Sequence, residues 1–128
     1  MTISEASAQF GLTPDTLRYY EKIGLLPPVP RNKSGLRDYD EESCNWIGFI
    51  KCMRSAGLSI EVLIEYVSLW LQGDETVEER RALLVAQRKK LTDKLTEIQS
   101  TIERLDFKID HYDKTLMGMA FVKSNQRE

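Results

Sequence analysis

Several residue types are scarce in this 128-residue sequence, and each scarcity excludes a class of protein. Cysteine occurs twice and histidine once, so we expect neither a disulfide framework nor a metal site. No apolar run reaches the roughly 18 residues that a membrane span needs. The first residues also lack the basic and apolar regions of a secretory signal. We therefore expect a cytoplasmic protein that contacts no membrane.

The patterns of common enzymes and of strongly basic proteins are also missing. No Gly-rich phosphate loop occurs, and the single histidine leaves little for acid–base chemistry, so we expect neither an enzyme nor a cofactor. The net charge of -2 gives no general sign of nucleic-acid binding. The charge is uneven, however, because Arg31, Lys33 and Arg37 follow one another without an intervening acid. This segment is a local candidate for contact with a polyanion.

Local signals predict two short helices at the start of the chain. Thr2 and Glu5 have the spacing of a capping box, in which each side chain satisfies a free backbone N–H group. Gly11 ends this first helix, and Thr13 followed by Pro14 marks the start of the second. Two short helices joined by a brief turn that contains glycine predict a helix-turn-helix.

The segment after the second helix predicts a small β-hairpin, or wing. Pro27, Pro28 and Pro30 exclude a helix there. Residues 32–35 read Asn-Lys-Ser-Gly, which is typical of a turn between two short extended pieces.

Two further helices are expected after the wing, with Asp40 and Ser59 as their N-caps. Each carries apolar residues at helical spacing. The expected inward residues are Trp46, Phe49, Ile50 and Met53 in the third helix, and Ile60, Leu63, Ile64, Val67 and Leu71 in the fourth.

One long helix is predicted beyond Thr76, which forms a second possible capping box with Glu79. Its apolar residues repeat every seven positions in two alternating rows, which predicts a coiled coil. The rows contain Leu84, Leu91, Ile98, Leu105 and Tyr112, and Leu95, Ile102, Ile109 and Leu116. A second copy of the chain is the simplest partner for this face. We therefore predict a mainly α protein with a winged helix-turn-helix head (1–73), a coiled-coil dimerisation helix (74–118) and a short tail (119–128).

Several motifs in the head resemble the MerR family of transcriptional regulators. Residues 13–26 read Thr-Pro-Asp-Thr-Leu-Arg-Tyr-Tyr-Glu-Lys-Ile-Gly-Leu-Leu, which is similar to the second helix of that family and its Gly-Leu-Leu exit. The resemblance continues through Gly-Leu-Arg-Asp-Tyr at 35–39 and Met-Arg-Ser-Ala-Gly-Leu-Ser at 53–59. It spans about residues 2–72, and the long helix follows where the family has its dimerisation helix.

The resemblance implies a homodimer with an antiparallel coiled coil, bound to an inverted repeat in promoter DNA. In that family, an effector changes how the two heads twist and bend the promoter spacer, and thereby acts on RNA polymerase indirectly. Bending or untwisting a site of this size costs only several kcal/mol. We expect neither a metal nor a cofactor in this mechanism.

The resemblance and the chemistry of the side chains give a set of DNA-contacting candidates. Short polar and cationic groups near the start of a recognition helix can reach base edges, and wing cations can reach phosphates. The candidates are Thr13, Asp15, Thr16, Arg18 and Tyr19 in the second helix, and Lys33, Arg37 and Tyr39 in the wing. The alternative is that Arg18 pairs with Glu21 on the surface, that both tyrosines of the second helix are core residues, and that the hairpin is merely solvated.

Two cysteines are candidates for effector sensing. The chain looks like the short, aldehyde- or thiol-stress-responsive MerR subgroup, whose cysteine late in the third helix corresponds to Cys52. Cys44 is the rival, since its place near the start of the same helix favours a more acidic thiol. Three alternatives remain open: both thiols are ordinary cysteines, the effector is a small molecule bound non-covalently, or the chain is a coiled-coil adaptor.

Overall fold

The computed structural model describes residues 1–118, with the side chains of residues 1–115. It contains five α-helices and a short 3₁₀ turn at Asp74–Thr76. The α-helices are α1 (Ile3–Phe10), α2 (Pro14–Lys22), α3 (Glu41–Ser55), α4 (Ile60–Gln72) and α5 (Val77–Gly118). The mainly helical fold is therefore as predicted. The side chain of Leu116 and the tail at 119–128 lie outside the described residues.

Internal contacts divide the chain into two units, Met1–Gln87 and the part from Arg88 onward. This division lies within α5, whereas the sequence predicted a boundary at residue 73. The first unit therefore contains α1 to α4, the wing and the beginning of α5. We call this unit the head.

The predicted N-caps of the first four helices are confirmed. Thr2 Oγ1 accepts a hydrogen bond from the Glu5 N–H at 3.1 Å, and Glu5 Oε1 accepts one from the Thr2 N–H at 2.7 Å. Thr13, Asp40 and Ser59 each accept a hydrogen bond from the backbone N–H three residues further on. These caps are local, because each satisfies an N–H group that the first turn of a helix leaves free.

The core of the head draws on every element from α1 to α4 and on the wing. Its buried apolar residues are Ala6, Leu17, Leu25, Leu26, Val29, Tyr39, Ile47, Ile50, Leu58, Leu63 and Val67. The predicted stripe of α3 is corrected here, because Ile47 is buried while Trp46, Phe49 and Met53 are only half-buried. Leu71, expected to face inward from α4, is 54% exposed.

The wing is a tight turn with one antiparallel bridge, between Arg31 and Arg37, in place of two regular strands. Pro30 has no N–H group to donate to a ladder, which limits pairing on that side. Asn32 organises the turn, since its side-chain oxygen accepts hydrogen bonds from two backbone N–H groups within it. Gly35 has φ 83°, a left-handed conformation that glycine adopts at little cost.

The predicted capping box at the start of α5 is wrong. The Thr76 hydroxyl shares its one proton between the carbonyl oxygens of Leu69 at 2.6 Å and Gly73 at 2.8 Å, so it serves the end of α4. It also accepts a hydrogen bond from Arg80 Nε at 3.0 Å. Thr76 is buried, and carbonyl groups left free at the end of α4 are the nearer partners for its hydroxyl. This corner joins α4 to α5.

The long helix is confirmed as 42 uninterrupted residues, and its heptad rows are exposed in the single chain. Leu84 and Leu91 are half-buried. The later members of the rows, which are Leu95, Ile98, Ile102, Leu105, Ile109 and Tyr112, are all at least 44% exposed. These six residues, here called the apolar seam, lack a partner within the described part of the chain. No described helix is both long and apolar enough to span a membrane.

Candidate nucleic-acid interface

The α2 helix presents polar side chains from one face and anchors itself with the other. Leu17 is fully buried, while Asp15, Arg18 and Tyr19 are exposed at the three- and four-residue spacing of a single helix face. Arg18 Nη1 donates to Asp15 Oδ1 at 2.9 Å, and the two side chains are 48% and 94% exposed. Exposed pairs of this kind contribute little stability, so Arg18 can exchange this partner for another acceptor. The predicted polar face therefore exists.

Two of the predicted contacts, Thr13 and Thr16, serve the start of the same helix. Thr13 Oγ1 accepts from the Thr16 N–H at 3.1 Å, and the Thr13 hydroxyl donates to Thr16 Oγ1 at 2.9 Å. Thr16 is also half-buried. Both hydroxyl groups are thus occupied in capping α2, and Thr13 is the more open of the two.

Glu21 joins α2 to the wing, a role that the sequence did not reveal. Its Oε1 accepts from Arg37 Nε at 2.6 Å, and its Oε2 accepts from the backbone N–H of Val29 at 3.0 Å. The Arg37 and Glu21 side chains are 22% and 16% exposed, so solvent screens this pair far less than the pair of Arg18. The alternative pairing of Arg18 with Glu21 is therefore not the one observed. Arg37, predicted as a wing cation that contacts phosphate, is paired with a carboxylate in the fold.

Three arginines meet in a cleft between α2, the wing and the start of α1. Arg18, Arg31 and Arg37 line this space of about 200 Å³, together with Thr2, Ile3, Asn32 and Leu36. Among the residues described, no aspartate or glutamate lines it. We call this space the arginine cleft. Its side chains can donate hydrogen bonds to an anion of phosphate size.

Arg31 is the member of the arginine cleft that the predicted contacts left out. One of its guanidinium nitrogens, Nη1, donates to the Gly35 carbonyl at 3.0 Å. Residues paired across an antiparallel bridge have side chains on the same side, which brings Arg31 next to Arg37. The basic run from 31 to 37 contained this signal, since a hairpin centred on Ser34 pairs residues 31 and 37.

The structure places the other two wing candidates differently. Lys33 is exposed at the tip of the wing and does not line the arginine cleft. The side chain of Tyr39 is 1% exposed, and its hydroxyl finds no hydrogen-bond partner among the described residues. Burial raises the pKa of Tyr39. Tyr39, which the resemblance implied as a DNA contact, is therefore a core residue as folded.

The two cysteines of α3 occupy different surroundings. Cys52 is exposed, whereas Cys44 is half-buried with its Sγ 3.9 Å from Met1 Sδ. Burial raises the pKa of Cys44, and this effect outweighs the lowering by the nearby N-terminal ammonium group. The argument for an acidic Cys44 from its place near the helix start is therefore contradicted. In the described part of the chain, no group of three or more His, Cys, Asp or Glu residues could hold a metal ion.

Comparison with known proteins gives one consistent family. The model of the MerR HTH family of regulatory proteins matches residues 1–69, and a MerR DNA-binding model matches residues 45–107. The chain is 60% identical over 91 residues to the HTH-type transcriptional regulator AdhR of Bacillus subtilis. That match covers 71% of this chain and 65% of AdhR, which is less than two thirds of AdhR's length.

Solved structures agree with the sequence matches. A MerR family regulator from Listeria monocytogenes superposes with a TM-score of 0.87 at 49% identity, over 91% of this chain and 89% of that one. HiNmlR, a MerR family regulator lacking the sensor domain, was solved bound to promoter DNA. It superposes with a TM-score of 0.80 at 29% identity, over 91% of this chain and 93% of its own.

These relatives are transcriptional regulators, which confirms the prediction that the chain is not an enzyme. The family match covers more than half of the chain and includes α1, α2, the wing and α3. The chain therefore belongs to the MerR family of helix-turn-helix regulators.

Proposed function

We propose that this regulator binds an inverted repeat in promoter DNA as a homodimer and changes the shape of the promoter spacer. The arginine cleft is the observation that carries the proposal, because it places three cationic side chains where α2 and the wing meet. In a winged helix-turn-helix, the second helix enters the major groove and the wing lies over the adjacent backbone. The protein would act in the cytoplasm, on its own genome's promoters.

The side chains divide naturally between reading bases and holding phosphates. Arg18 and Tyr19 are exposed on α2 and can reach base edges. The exposed ion pair between Arg18 and Asp15 can break, which frees both side chains for contact with DNA. Arg31 and Arg37, on the wing side of the arginine cleft, suit a backbone phosphate, and Lys33 at the wing tip suits a flanking one. Thr13, at the start of α2, is a further candidate for contact with the DNA.

The homodimer is supported by the apolar seam, which is too extensive to remain in water. A coiled coil buries such rows against the same rows of another helix. An antiparallel pairing follows from the family resemblance, and it would give the DNA two recognition helices related by a twofold axis. A change in the angle between the heads would then act on RNA polymerase through the promoter alone.

Replacing Arg31 with alanine tests the role of the arginine cleft. Loss of a phosphate contact is expected to weaken binding about tenfold and to reduce the slope of log affinity against log salt by about one. The measurement is fluorescence anisotropy with a promoter fragment selected from genomic DNA by the purified protein, at four salt concentrations. Arg81→Ala is the matched control, because Arg81 is exposed in the head and lies outside the cleft.

If the two variants weaken DNA binding equally, the arginine cleft is not a phosphate site, and the loss of affinity is a general effect of the lost charge. Failure of the natural protein to enrich any duplex at low salt would overturn the proposed function itself. In that case the coiled coil, and a protein partner for it, would become the function to pursue.

We further propose that Cys52 is the thiol through which reactive aldehydes or other electrophiles act. Cys52 is exposed late in α3, the position that the short thiol-responsive subgroup implies, whereas Cys44 is half-buried. With an aldehyde, the Cys52 thiolate sulfur would add to the carbonyl carbon, and the carbonyl oxygen would take a proton from water. The adduct would enlarge a side chain on the same helix as the core residues Ile47 and Ile50.

Alkylation of the folded protein is expected to reach Cys52 several-fold faster than Cys44. The raised pKa of Cys44 lowers its thiolate fraction near neutral pH, and burial also restricts access to its sulfur. Timed reaction with N-ethylmaleimide at pH 7, followed by peptide mass spectrometry, gives both rates. In urea the two rates should converge. Faster modification of Cys44 in the folded protein would count against Cys52, as would an intact aldehyde response in a Cys52→Ser variant.

A further inference from the structure

Four aromatic rings from α3 and α4 form a cluster at the surface of the head, and none of them lines the arginine cleft. Trp46 lies with its ring centre 5.2 Å from that of Trp70 and 5.8 Å from that of Tyr66. Phe49 completes the group at 5.6 Å from Tyr66. All four side chains are only half-buried, so part of their ring surface faces solvent. The hydrophobic pattern predicted Trp46 and Phe49 as core residues and gave no sign of the ring cluster.

Two cavities border this aromatic cluster and share three lining residues, Glu42, Trp46 and Trp70. The first has a volume of about 130 Å³ and is also lined by the segment from Pro27 to Pro30. The second, of about 310 Å³, is more open and adds Phe49 and Tyr66 to its walls. A small molecule with an apolar body fits such a space.

The charge of the lining residues is of one sign. Among the described residues, no lysine or arginine lines either cavity. The Glu42 carboxylate lines both and takes part in no ion pair or side-chain hydrogen bond within the described chain. Asp40 also lines the first cavity, although its carboxylate caps α3 through the Ser43 N–H at 2.8 Å. The positive end of α3 lies here too, but its half charge is outweighed by the carboxylates of its N-cap and first turn.

We propose that this aromatic cluster and Glu42 form a binding site for a small organic cation of the quaternary ammonium type. The faces of tryptophan, tyrosine and phenylalanine rings attract such cations, and tryptophan attracts them most strongly. Glu42 supplies the counter-charge at the rim, and the apolar walls receive the methyl groups. An anion would be repelled by the unpaired carboxylate, and a neutral molecule would gain no charge–charge attraction from it, so the site selects for positive charge.

The position of the site provides a route to DNA binding, and this step rests on the proposed function. The segment Pro27 to Pro30 forms one wall of the cavity and also contains Val29. The Val29 N–H is bound to Glu21, which in turn holds Arg37 of the arginine cleft. A cation that shifts this wall would change the position of the wing relative to α2. The site would thus serve as the non-covalent effector site that the sequence left open.

Tryptophan fluorescence tests the site directly, since Trp46 and Trp70 are the two tryptophans of the chain and both line it. Choline is the probe, and 3,3-dimethyl-1-butanol is its uncharged counterpart of the same shape. The full-length protein should show a saturable change in emission with choline and at least tenfold weaker binding of the alcohol. Glu42→Gln should weaken choline binding about five- to tenfold. Glu41→Gln should leave choline binding unchanged. This variant removes the same charge from the same helix turn, but Glu41 lines neither cavity.

Each other outcome overturns the inference. A linear, unsaturable change would show collisional quenching only, and equal affinities for choline and the alcohol would show an uncharged apolar site. No change in tryptophan emission at any choline concentration would show that the rings are covered, for example by the second copy of the chain in the dimer. These readings require no DNA, so they stand apart from the test of the proposed function. Choline-dependent change in promoter affinity, lost in Glu42→Gln and kept in Glu41→Gln, tests the coupling separately.

Discussion

An Ile98→Asp, Ile102→Asp variant is expected to be monomeric and to bind the inverted repeat on the order of 100-fold more weakly than the natural protein. The two isoleucines are exposed members of the apolar seam, one helical turn apart. In a coiled coil their side chains are surrounded by those of the partner helix, where an unpaired carboxylate is strongly disfavoured. Once the dimer is lost, each head must bind its half-site alone. Sedimentation velocity measures the oligomeric state, and fluorescence anisotropy at one salt concentration measures the affinity for DNA.

The matched control places the same two charges on the opposite side of the helix. Thr96 and Ser100 are exposed, are also four residues apart, and fall outside both heptad rows. Thr96→Asp, Ser100→Asp should therefore remain dimeric and keep most of the DNA affinity. If the seam variant stays dimeric, the homodimer does not form through α5. If both variants weaken DNA binding equally, the added negative charge is the cause.

The features that sequence alone could predict are those determined by neighbours along the chain. The N-caps at Thr2, Thr13, Asp40 and Ser59 depend on an N–H group three residues away, so their residue types and spacing suffice. The length of α5 follows from its unbroken heptads for the same reason. Thr76 shows the limit. Its hydroxyl had a local partner available but binds carbonyls at the end of α4, a competition that becomes visible only once the corner is folded.

The candidate sites depend on pairs that lie far apart in the sequence. Glu21 meets Arg37 across 16 residues, whereas the nearby Arg18 was the partner that helical spacing suggested. The aromatic cluster likewise joins Trp46 to Trp70 across two helices. The hydrophobic pattern identified an apolar face on each helix, but it could not show which rings would meet or remain partly open. Packing between elements decides this, and a single sequence carries little information about it.

Glu21→Ala is expected to destabilise the head by about 2–4 kcal/mol, a large share of the 5–15 kcal/mol typical of a folded domain. The substitution removes the acceptor of the Val29 N–H and the partner of Arg37 at once, and both lie in a region that solvent reaches poorly. Urea unfolding followed by tryptophan fluorescence measures the loss. Asp15→Ala is the matched control on the same helix, because the Asp15 side chain is 94% exposed. This variant should lower the free energy of unfolding by less than about 1 kcal/mol.

The effect of Glu21→Ala on DNA binding separates two roles that Glu21 could have. If Glu21 only neutralises Arg37, its removal adds positive charge and strengthens binding to every duplex. If it positions the wing, binding to the inverted repeat weakens relative to unrelated DNA, because Arg31 and Arg37 no longer meet the backbone in register. We expect the second result, with partial recovery in Glu21→Gln, whose side-chain oxygen can still accept from the Val29 N–H but cannot pair with the Arg37 charge. An increase in affinity for both kinds of DNA would show that the carboxylate competes with phosphate and that the wing holds its position without it.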